Sequence, residues 1–274
     1  MKIAFLTANY PSEARPFEGT FVQQVVWAMA RRGNECAVVK PTSVFGLRHG
    51  KLPPLVARED AGDGSFVRVL RPPYPTFSSK RIGPLHTGRA THRAFVAASY
   101  AAMRLARVKP SVVYGHFLYS AGRAATVMGR AFGCPAVIGV GESSPWTLAA
   151  VGVDRARRQY AKNGFFLANS TPNKHMLQDL LRIEPERIRV EPNGVDLSRM
   201  YPRDRDAMRK KHRLETDHVL VAFVGANNER KGPERVVEAV EGLEGASCLL
   251  VGAGTDELGS SSILRAGPVE HDLV

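Results

Sequence analysis

The sequence predicts an α/β protein built from two doubly wound, parallel-sheet units, the second of them incomplete in this chain. Short apolar runs alternate with segments of helical spacing from Lys2 to Val190. A charged, uneven stretch from Tyr201 to His218 then breaks the rhythm, and alternation restarts with VLVAFVGANNERKGPERVVEAV at Val219 to Val240. With 274 residues, 44% of them hydrophobic and 23% charged, the chain has the composition of a soluble globular protein of one large or two medium domains.

Taken in order, Lys2 to Thr7 reads as a first buried strand. Its apolar run is too short for a signal peptide, and Pro11 follows without a small-residue cleavage pattern. Further strands are expected at Glu35 to Val39, Val112 to Gly115, Ala136 to Val140, Phe165 to Ala168 and Ile188 to Val190. Helices are expected at Phe21 to Arg32, Thr91 to Arg107, Ala121 to Phe132 and Asn173 to Leu181. Short apolar strands separated by helices imply a parallel sheet covered on both faces. Pro41 to Pro84, rich in Pro and Gly, reads as a strand or two amid long loops. The expected division is residues 1–197, a linker at 198–216 carrying one exposed helix, and a second unit at 217–274. That last span has room for about three strands, roughly half of a doubly wound domain, so the chain reads as a fragment or as a sheet that something else covers.

The formal charge is +12, and no Asp or Glu falls between Asp63 and Glu142, where eleven Lys and Arg side chains do. Such a field attracts anions: an anionic membrane surface, a lipid-linked or polyanionic acceptor, or nucleic acid. Thr87 to Arg107 spaces Phe95, Val96, Tyr100, Met103 and Leu105 among alanines and basic residues. This pattern serves first a core-packing helix with a basic solvent face, and next an amphipathic helix on a membrane. No helix-turn-helix, zinc-finger or aromatic RNA-binding signature accompanies the charge, so no nucleic-acid partner is expected. Cys36, Cys134 and Cys248 are few, odd in number and far apart, which argues against a disulfide framework or a metal site and for a reducing, cytoplasmic setting. No segment approaches the roughly 20 apolar residues needed to span a bilayer.

Four short motifs carry chemistry on this frame. Pro16-Phe17-Glu18-Gly19-Thr20-Phe21 joins the first strand to the first helix, and Gly19 there serves a tight turn or a close approach of backbone amides to a ligand. Val112-Val113-Tyr114-Gly115-His116 puts His116 at the carboxyl end of a strand, as a ligand contact or as a structural hydrogen-bonding residue. Val190-Glu191-Pro192-Asn193-Gly194-Val195-Asp196 is a turn after a strand. In Phe223-Val224-Gly225-Ala226-Asn227-Asn228-Glu229-Arg230-Lys231-Gly232, a strand stops at a loop bearing two cations before Pro233 opens a helix. A phosphate at that loop would meet both cations and the amides of a helix start, although many α/β units look like this and bind nothing there.

In this order and spacing the motifs resemble those of retaining, nucleotide-sugar-dependent glycosyltransferases of the GT-B fold, the group called group 1 or family 4. The matching stretches are FEGTFVQQVVWAMARRGNECAVV, VVYGHFLYSAGRAATVMGRAFGCPAVIGV, FFLANSTPNKHMLQDLLRIEPERIRVEPNGVDLSRMYP, FVGANNERKGPERVVEAV and LLVGAG. NGVD followed by VG and RKG is the most specific part. The resemblance implies two facing Rossmann-like domains, the first holding the acceptor and the second a nucleoside diphosphate sugar. It matches Lys231 to a lysine that neutralises the leaving diphosphate, with Arg230 beside it, so that fixed cations stabilise charge developing on the leaving group. Gly19, Thr20, Gly225, Asn227, Gly232 and Asn193 fall on the donor side and His116 on the acceptor side, while Glu142 reads as an acceptor or donor contact or as a plain surface carboxylate. The implied partners are the nucleotide-sugar donor and a saccharide or lipid-linked acceptor; the implied transfer retains configuration and generally needs no metal.

The chain departs from the family pattern in three places. Ala226 follows Gly225 where an arginine is usual, and Val140-Gly141-Glu142-Ser143 stands where a donor-contacting histidine is usual. The paired glutamates of the family, with seven residues between them, would lie beyond Val274. These expectations place a sugar transferase at the inner face of a membrane. A noncatalytic partner or scaffold of the same fold is the alternative the departures leave open, and a basic nucleic-acid-binding protein is the alternative on charge alone.

Overall fold

The computed structural model describes residues 1–45, 53–77, 81–82, 85–142, 148, 151–161, 163–198, 200–214 and 217–269. It divides into two compact units, Met1–Gly194 and Val195–Val274. The stretch 198–216, read above as a linker, groups with the second unit.

The first unit begins with β1 (Lys2–Leu6), α1 (Thr20–Arg31), β2 (Glu35–Val39) and the short β3 (Thr42–Ser43). The hairpin β4 (Val56–Gly62) and β5 (Ser65–Leu70) comes next, then the two-residue strands β6 (Pro73–Tyr74), β7 (Arg81–Ile82) and β8 (Leu85–His86). After α2 (Thr87–Leu105) and β9 (Val112–His116), a wound turn, Leu118–Gly122, runs straight into α3 (Arg123–Phe132). The unit closes with β10 (Ala136–Val140), α4 (Val153–Tyr160), β11 (Phe165–Ala168), α5 (Thr171–Leu181) and β12 (Ile188–Val190).

Eight strands form one sheet in the order β12-β11-β10-β9-β1-β2-β5-β4. All neighbours are parallel except β4 against β5. Successive strands run outward from β1 on one side through β2 and on the other through β9, so the switch of direction falls between β1 and β9. Ligands of doubly wound sheets bind outside the carboxyl ends at such a point. The sheet is buried on both faces: Ala4, Leu6, Ala37 and Val39 pack under α2 and α3, while Ile3, Phe5, Cys36 and Val38 pack under α1. That two-sided burial is why the central strands read as unbroken apolar runs.

The helices follow from their periodicity and their ends. α1 buries Val22, Val26 and Ala30, four residues apart, and Gly19 enters it in the left-handed region. α2 begins four residues before the expected Thr91, and its Phe95, Ser99 and Met103 are buried in the core. Phe95 and Met103, at 1% and 0% exposure, therefore serve the core-packing role, while Tyr100 and Leu105 stay exposed at 42% and 85%. α3 begins at Arg123 rather than Ala121, because Leu118–Gly122 is wound differently, and it stops at Gly133, whose left-handed backbone returns its amide to Arg130 O and Gly129 O. At α5 the Ser170 side chain accepts from the Asn173 amide, and Pro172 lies in the first turn.

Of the strand or two expected within Pro41 to Pro84, the structure forms the β4–β5 hairpin together with shorter strands, whereas α4 was not foreseen. The hairpin of β4 and β5 turns through Gly62, Asp63 and Gly64, all with positive φ. β4 is an edge strand with mostly exposed or half-buried positions, and its sequence VAREDAG carries almost no apolar signal. α4 buries only Ala156 and Tyr160 of VDRARRQY, too few positions for a visible period.

The second unit holds α6 (Arg205–Lys211), β13 (Val219–Val224), α7 (Pro233–Val240), β14 (Ala246–Val251) and β15 (Ile263–Gly267). Its sheet has the order β13-β14-β15, all parallel. Asp204 caps α6 by accepting the Ala207 amide. Val237 and Val240 of α7 pack on Cys248 and Leu250 of β14. No helix among the described residues is long and apolar enough to cross a membrane.

Candidate functional site

In the first unit, several of the expected residues meet at the carboxyl edge of the sheet beside the switch point. Gly19 has φ +73°, and a Cβ there would stand 2.4 Å from both C and O of Asn9 and 2.8 Å from the Tyr10 amide nitrogen. The loop after β1 and the start of α1 thus touch backbone to backbone, which only glycine permits. Three side chains pin this loop: Lys40 Nζ reaches Glu18 Oε2 at 3.1 Å, Arg71 donates to Pro11 O at 3.1 Å, and Tyr10 OH donates to Glu59 at 2.5 Å. Thr20, the first residue of α1, follows Gly19 directly.

His116 ends β9 across the switch point. Phe21 and Phe117 flank its ring, with centroids 5.2 and 4.5 Å away, and Nδ1 lies 3.2 Å from Tyr114 OH. Burial lowers its pKa from 6.5 to about 4, so the imidazole is neutral near pH 7. A neutral ring can accept or donate a hydrogen bond but carries no charge to a ligand. The shift has a stability consequence whose sign is definite. Between about pH 6.5 and 4 the unfolded chain takes up a proton that the folded chain refuses, so stability is full above that window and falls as pH drops through it. The ceiling is roughly 3 kcal/mol before a discount for partial exposure. Replacing His116 with Gln should therefore narrow the difference in denaturation free energy between pH 7.5 and 4.5; an unchanged difference would remove the assignment.

Glu142, two residues past β10, is no plain surface carboxylate. Its Oε1 accepts the Leu118 amide at 2.5 Å and its Oε2 accepts the Gly141 amide at 3.0 Å. Burial raises its pKa, and the bonds from these amides oppose that rise. Glu142 thereby ties the end of β10 to the Leu118–Gly122 turn, which Tyr160 of α4 also holds by donating to Leu118 O at 2.5 Å. Glu142→Ala would leave two partly buried amides without their acceptor, at a cost of about 2 kcal/mol. Thermal denaturation should show this, with Glu142→Gln recovering part of it.

Asn169, directly after β11, joins the same edge: a Cβ on Gly141 would stand 2.8 Å from its Nδ2, while Asn173 Nδ2 donates to its Oδ1 at 2.7 Å. Asn169, Phe21 and Phe117 escaped the sequence reading, although a polar residue at the first position after a strand is a signal that could have found Asn169. Asn193 is exposed and follows the outermost strand, β12. Three strand spacings, about 14 Å, separate β12 from β9, so the first unit does not bring Asn193 to His116 and Gly19.

In the second unit the loop after β13 is stitched to the loop after β14. Gly225 N donates to Val251 O, Asn227 N to Ala253 O and Asn227 Nδ2 to Gly254 O. A Cβ on Gly252 would lie 1.9 Å from Gly225 O, so the two loops pass in contact. Asn227 therefore spends its side chain on the loop itself. Arg230 and Lys231 are exposed and form no ion pair among the described residues. The Lys231 stem runs over Gly225, with its Cδ 3.9 Å from where a Cβ would stand. Two amides just ahead of this helix are already taken. Asn228 accepts both the Lys231 and Gly232 amides through its carbonyl, and its side chain accepts the Lys231 amide again at 3.0 Å. Beside them the Arg230 and Lys231 side chains stay exposed. A third, Arg235, was missed: its guanidinium lies over Gly232 and donates to Glu229 O at 3.2 Å.

Among the described residues no three His, Cys, Asp or Glu side chains are grouped as metal ligands. A cleft of about 470 Å³ at the amino ends of β2 and β5, lined by Glu35, Cys36 and Phe66 among others, lies away from the carboxyl edge where these residues gather.

Residues 19–199 match the model of Glycosyltransferase Family 4. The chain belongs to that family. TuaC of Bacillus subtilis (strain 168), whose name assigns it provisionally to teichuronic acid biosynthesis as a glycosyltransferase, is 26% identical over 261 residues, 93% of this family 4 chain and 66% of TuaC. The D-inositol 3-phosphate glycosyltransferase of Mycobacteroides abscessus is 34% identical over 127 residues, 45% of this chain and 26% of that protein. The chain thus spans just under two thirds of TuaC and about a quarter of the second relative. Among solved structures, WaaG, a glycosyltransferase involved in lipopolysaccharide biosynthesis, aligns with TM-score 0.59 at 16% identity over 99% of this chain and 71% of WaaG. Anabaena Alr3699/HepE in complex with UDP and glucose aligns with TM-score 0.62 at 15% identity over 100% of this chain and 70% of its own. At these identities the likeness concerns the fold, and the fold is GT-B.

Proposed function

We propose that the protein carrying this chain transfers a sugar from a nucleoside diphosphate sugar to a saccharide or lipid-linked acceptor with retention of configuration, at the inner face of a membrane. The observation that carries this reading is the loop after β13, where Arg230 and Lys231 stand exposed and, among the described residues, form no ion pair, on a backbone fixed by Gly225, Gly252 and Asn228. Fixed cations of this kind stabilise the negative charge that builds on a departing diphosphate, without reorganising as it forms. In this reading Lys231 is the principal clamp and Arg230 its helper, Gly225, Asn227 and Gly232 shape the loop, and Gly19, Thr20 and Asn193 serve the donor side. His116, neutral, and Glu142 form the acceptor side. Chemistry of this type asks no metal of the residues named. The UDP present in the HepE complex makes a uridine nucleotide the first donor to try. Equilibrium titration of the natural protein with UDP, GDP and ADP tests the donor half. Binding of one diphosphate, weakened at least tenfold by removing the Lys231 charge, is expected; absence of binding to all of them would refute it. Ala226 and the stretch Val140-Gly141-Glu142-Ser143, which stand where the family usually has arginine and histidine, favour one competing reading, a noncatalytic partner of the same fold, and that reading predicts the null result.

A further inference from the structure

A cleft of about 370 Å³ on the first unit is lined by Arg123, Thr126 and Arg130 of α3 and by Arg155, Arg158 and Gln159 of α4. Arg123 and Arg130 are seven residues apart, so they share one face of α3 about 10 Å apart along its axis. Arg155 and Arg158, three apart, share a face of α4. α2 adds more charge nearby: Arg89 foremost, then burial, then Arg93, Arg158 and Arg123 lower the pKa of Arg155. Arg89 Nε is also buried with no hydrogen-bond partner among the described residues.

Among the described residues, Arg123, Arg155 and Arg158 form no ion pair with a carboxylate. No acid occurs between Asp63 and Glu142. Of the next two, Glu142 is engaged with the amides of Leu118 and Gly141, and Asp154 pairs with Arg157 at 3.0 Å. Gathering like charges costs free energy through self-repulsion, and an anionic ligand offsets that cost. Guanidinium groups match phosphate oxygens in bidentate fashion, and pairs spread over about 10 Å along a cleft suit more than one phosphate. The cleft also adjoins the candidate site. The Leu118–Gly122 turn leads from the segment after His116 straight into Arg123, and within it Tyr119 OH donates to Gln159 while Ser120 Oγ lies 2.5 Å from His92 Nδ1.

We propose that this arginine cleft binds a diphosphate or similarly clustered phosphate ester. The proposal rests on the transferase reading only in taking that group to be part of the acceptor, whether the acceptor is soluble or carried on a lipid.

Calorimetric titration of the full chain with inorganic pyrophosphate is the test. Saturable binding, tighter than that of orthophosphate, should weaken at least tenfold in Arg123→Gln/Arg155→Gln/Arg158→Gln. It should stay within about twofold in the charge-matched control Arg205→Gln/Lys210→Gln/Lys211→Gln and persist in Lys231→Ala. The single exposed variant Arg158→Gln should weaken it severalfold, which keeps the test valid should the triple variant fail to fold. Absence of saturable binding, wild-type affinity in the cleft variants, or equal loss in the control would overturn the proposal. Flotation with phosphatidylcholine vesicles containing a lipid diphosphate, compared with a lipid monophosphate at equal surface charge, identifies the source. Retention that needs the cleft arginines marks a lipid-borne ligand, and cleft-dependent binding of free pyrophosphate alone marks a soluble one. A cleft that binds pyrophosphate in a protein that turns over no nucleotide sugar would defeat the transferase reading alone.

Discussion

Lys231→Ala is expected to lower kcat of the natural protein that carries this chain by roughly 10²- to 10³-fold, the scale of losing one fixed donor to a developing anion. The ammonium sits on an exposed stem over Gly225 and forms no ion pair among the described residues, so its removal breaks no fold contact. Because charge on the diphosphate is greatest as the sugar departs, the loss should fall on kcat more than on KM for the donor. Arg230→Ala should cost less, and Lys231→Arg should restore part of the rate. Arg235→Ala is a different case: it releases the bond to Glu229 O, so it should loosen the loop and shift the melting curve as well as the rate. Steady-state kinetics over these variants reads the assignment, and near-normal turnover in Lys231→Ala would remove it.

The second large effect is expected at Gly19. Gly19 and Gly33 have nearly the same positive φ, +73° and +78°, but a Cβ at Gly33 meets nothing within 4 Å, while one at Gly19 meets Asn9 at 2.4 Å. Gly33→Ala should therefore cost only the backbone preference, about 1 kcal/mol. Gly19→Ala carries the same preference plus displacement of a backbone that Arg71, Tyr10 and the Lys40–Glu18 pair hold in place, for a total of about 3 kcal/mol or more. Thermal melts of the two variants should separate by several degrees. Activity should be lost with Gly19→Ala even where the fold survives, because the loop moves away from its place beside His116. Equal melting temperatures would show that the loop yields.

Much of this was readable in the residues themselves. Strands such as Lys2–Leu6 and Ala136–Val140 are buried on both faces, and local composition records that burial. Gly19 stood out at the start of a helix and His116 at the end of a strand, and the ring of Phe21, two residues after Gly19, lies against that of His116. The reasons behind them were not local. The collision that makes Gly19 obligatory involves Asn9, and the partners that bury His116 include Phe21, almost a hundred positions earlier. Glu142 looked like a solvated carboxylate because its hydrogen-bond donors, the amides of Leu118 and Gly141, carry no sequence signature. Likewise the acid-free region was plain as a count of charges, whereas the convergence of Arg123, Arg130, Arg155 and Arg158 on one cleft depends on α4, whose pattern is too faint to read.

The most direct test of the account is acceptor-dependent release of nucleoside diphosphate by the natural protein, measured over a panel of nucleotide sugars and with the anomeric configuration of the product read by NMR. One donor should be consumed, with its configuration retained and the rate suppressed in Lys231→Ala. No release from any donor, together with no nucleotide binding, would contradict the account.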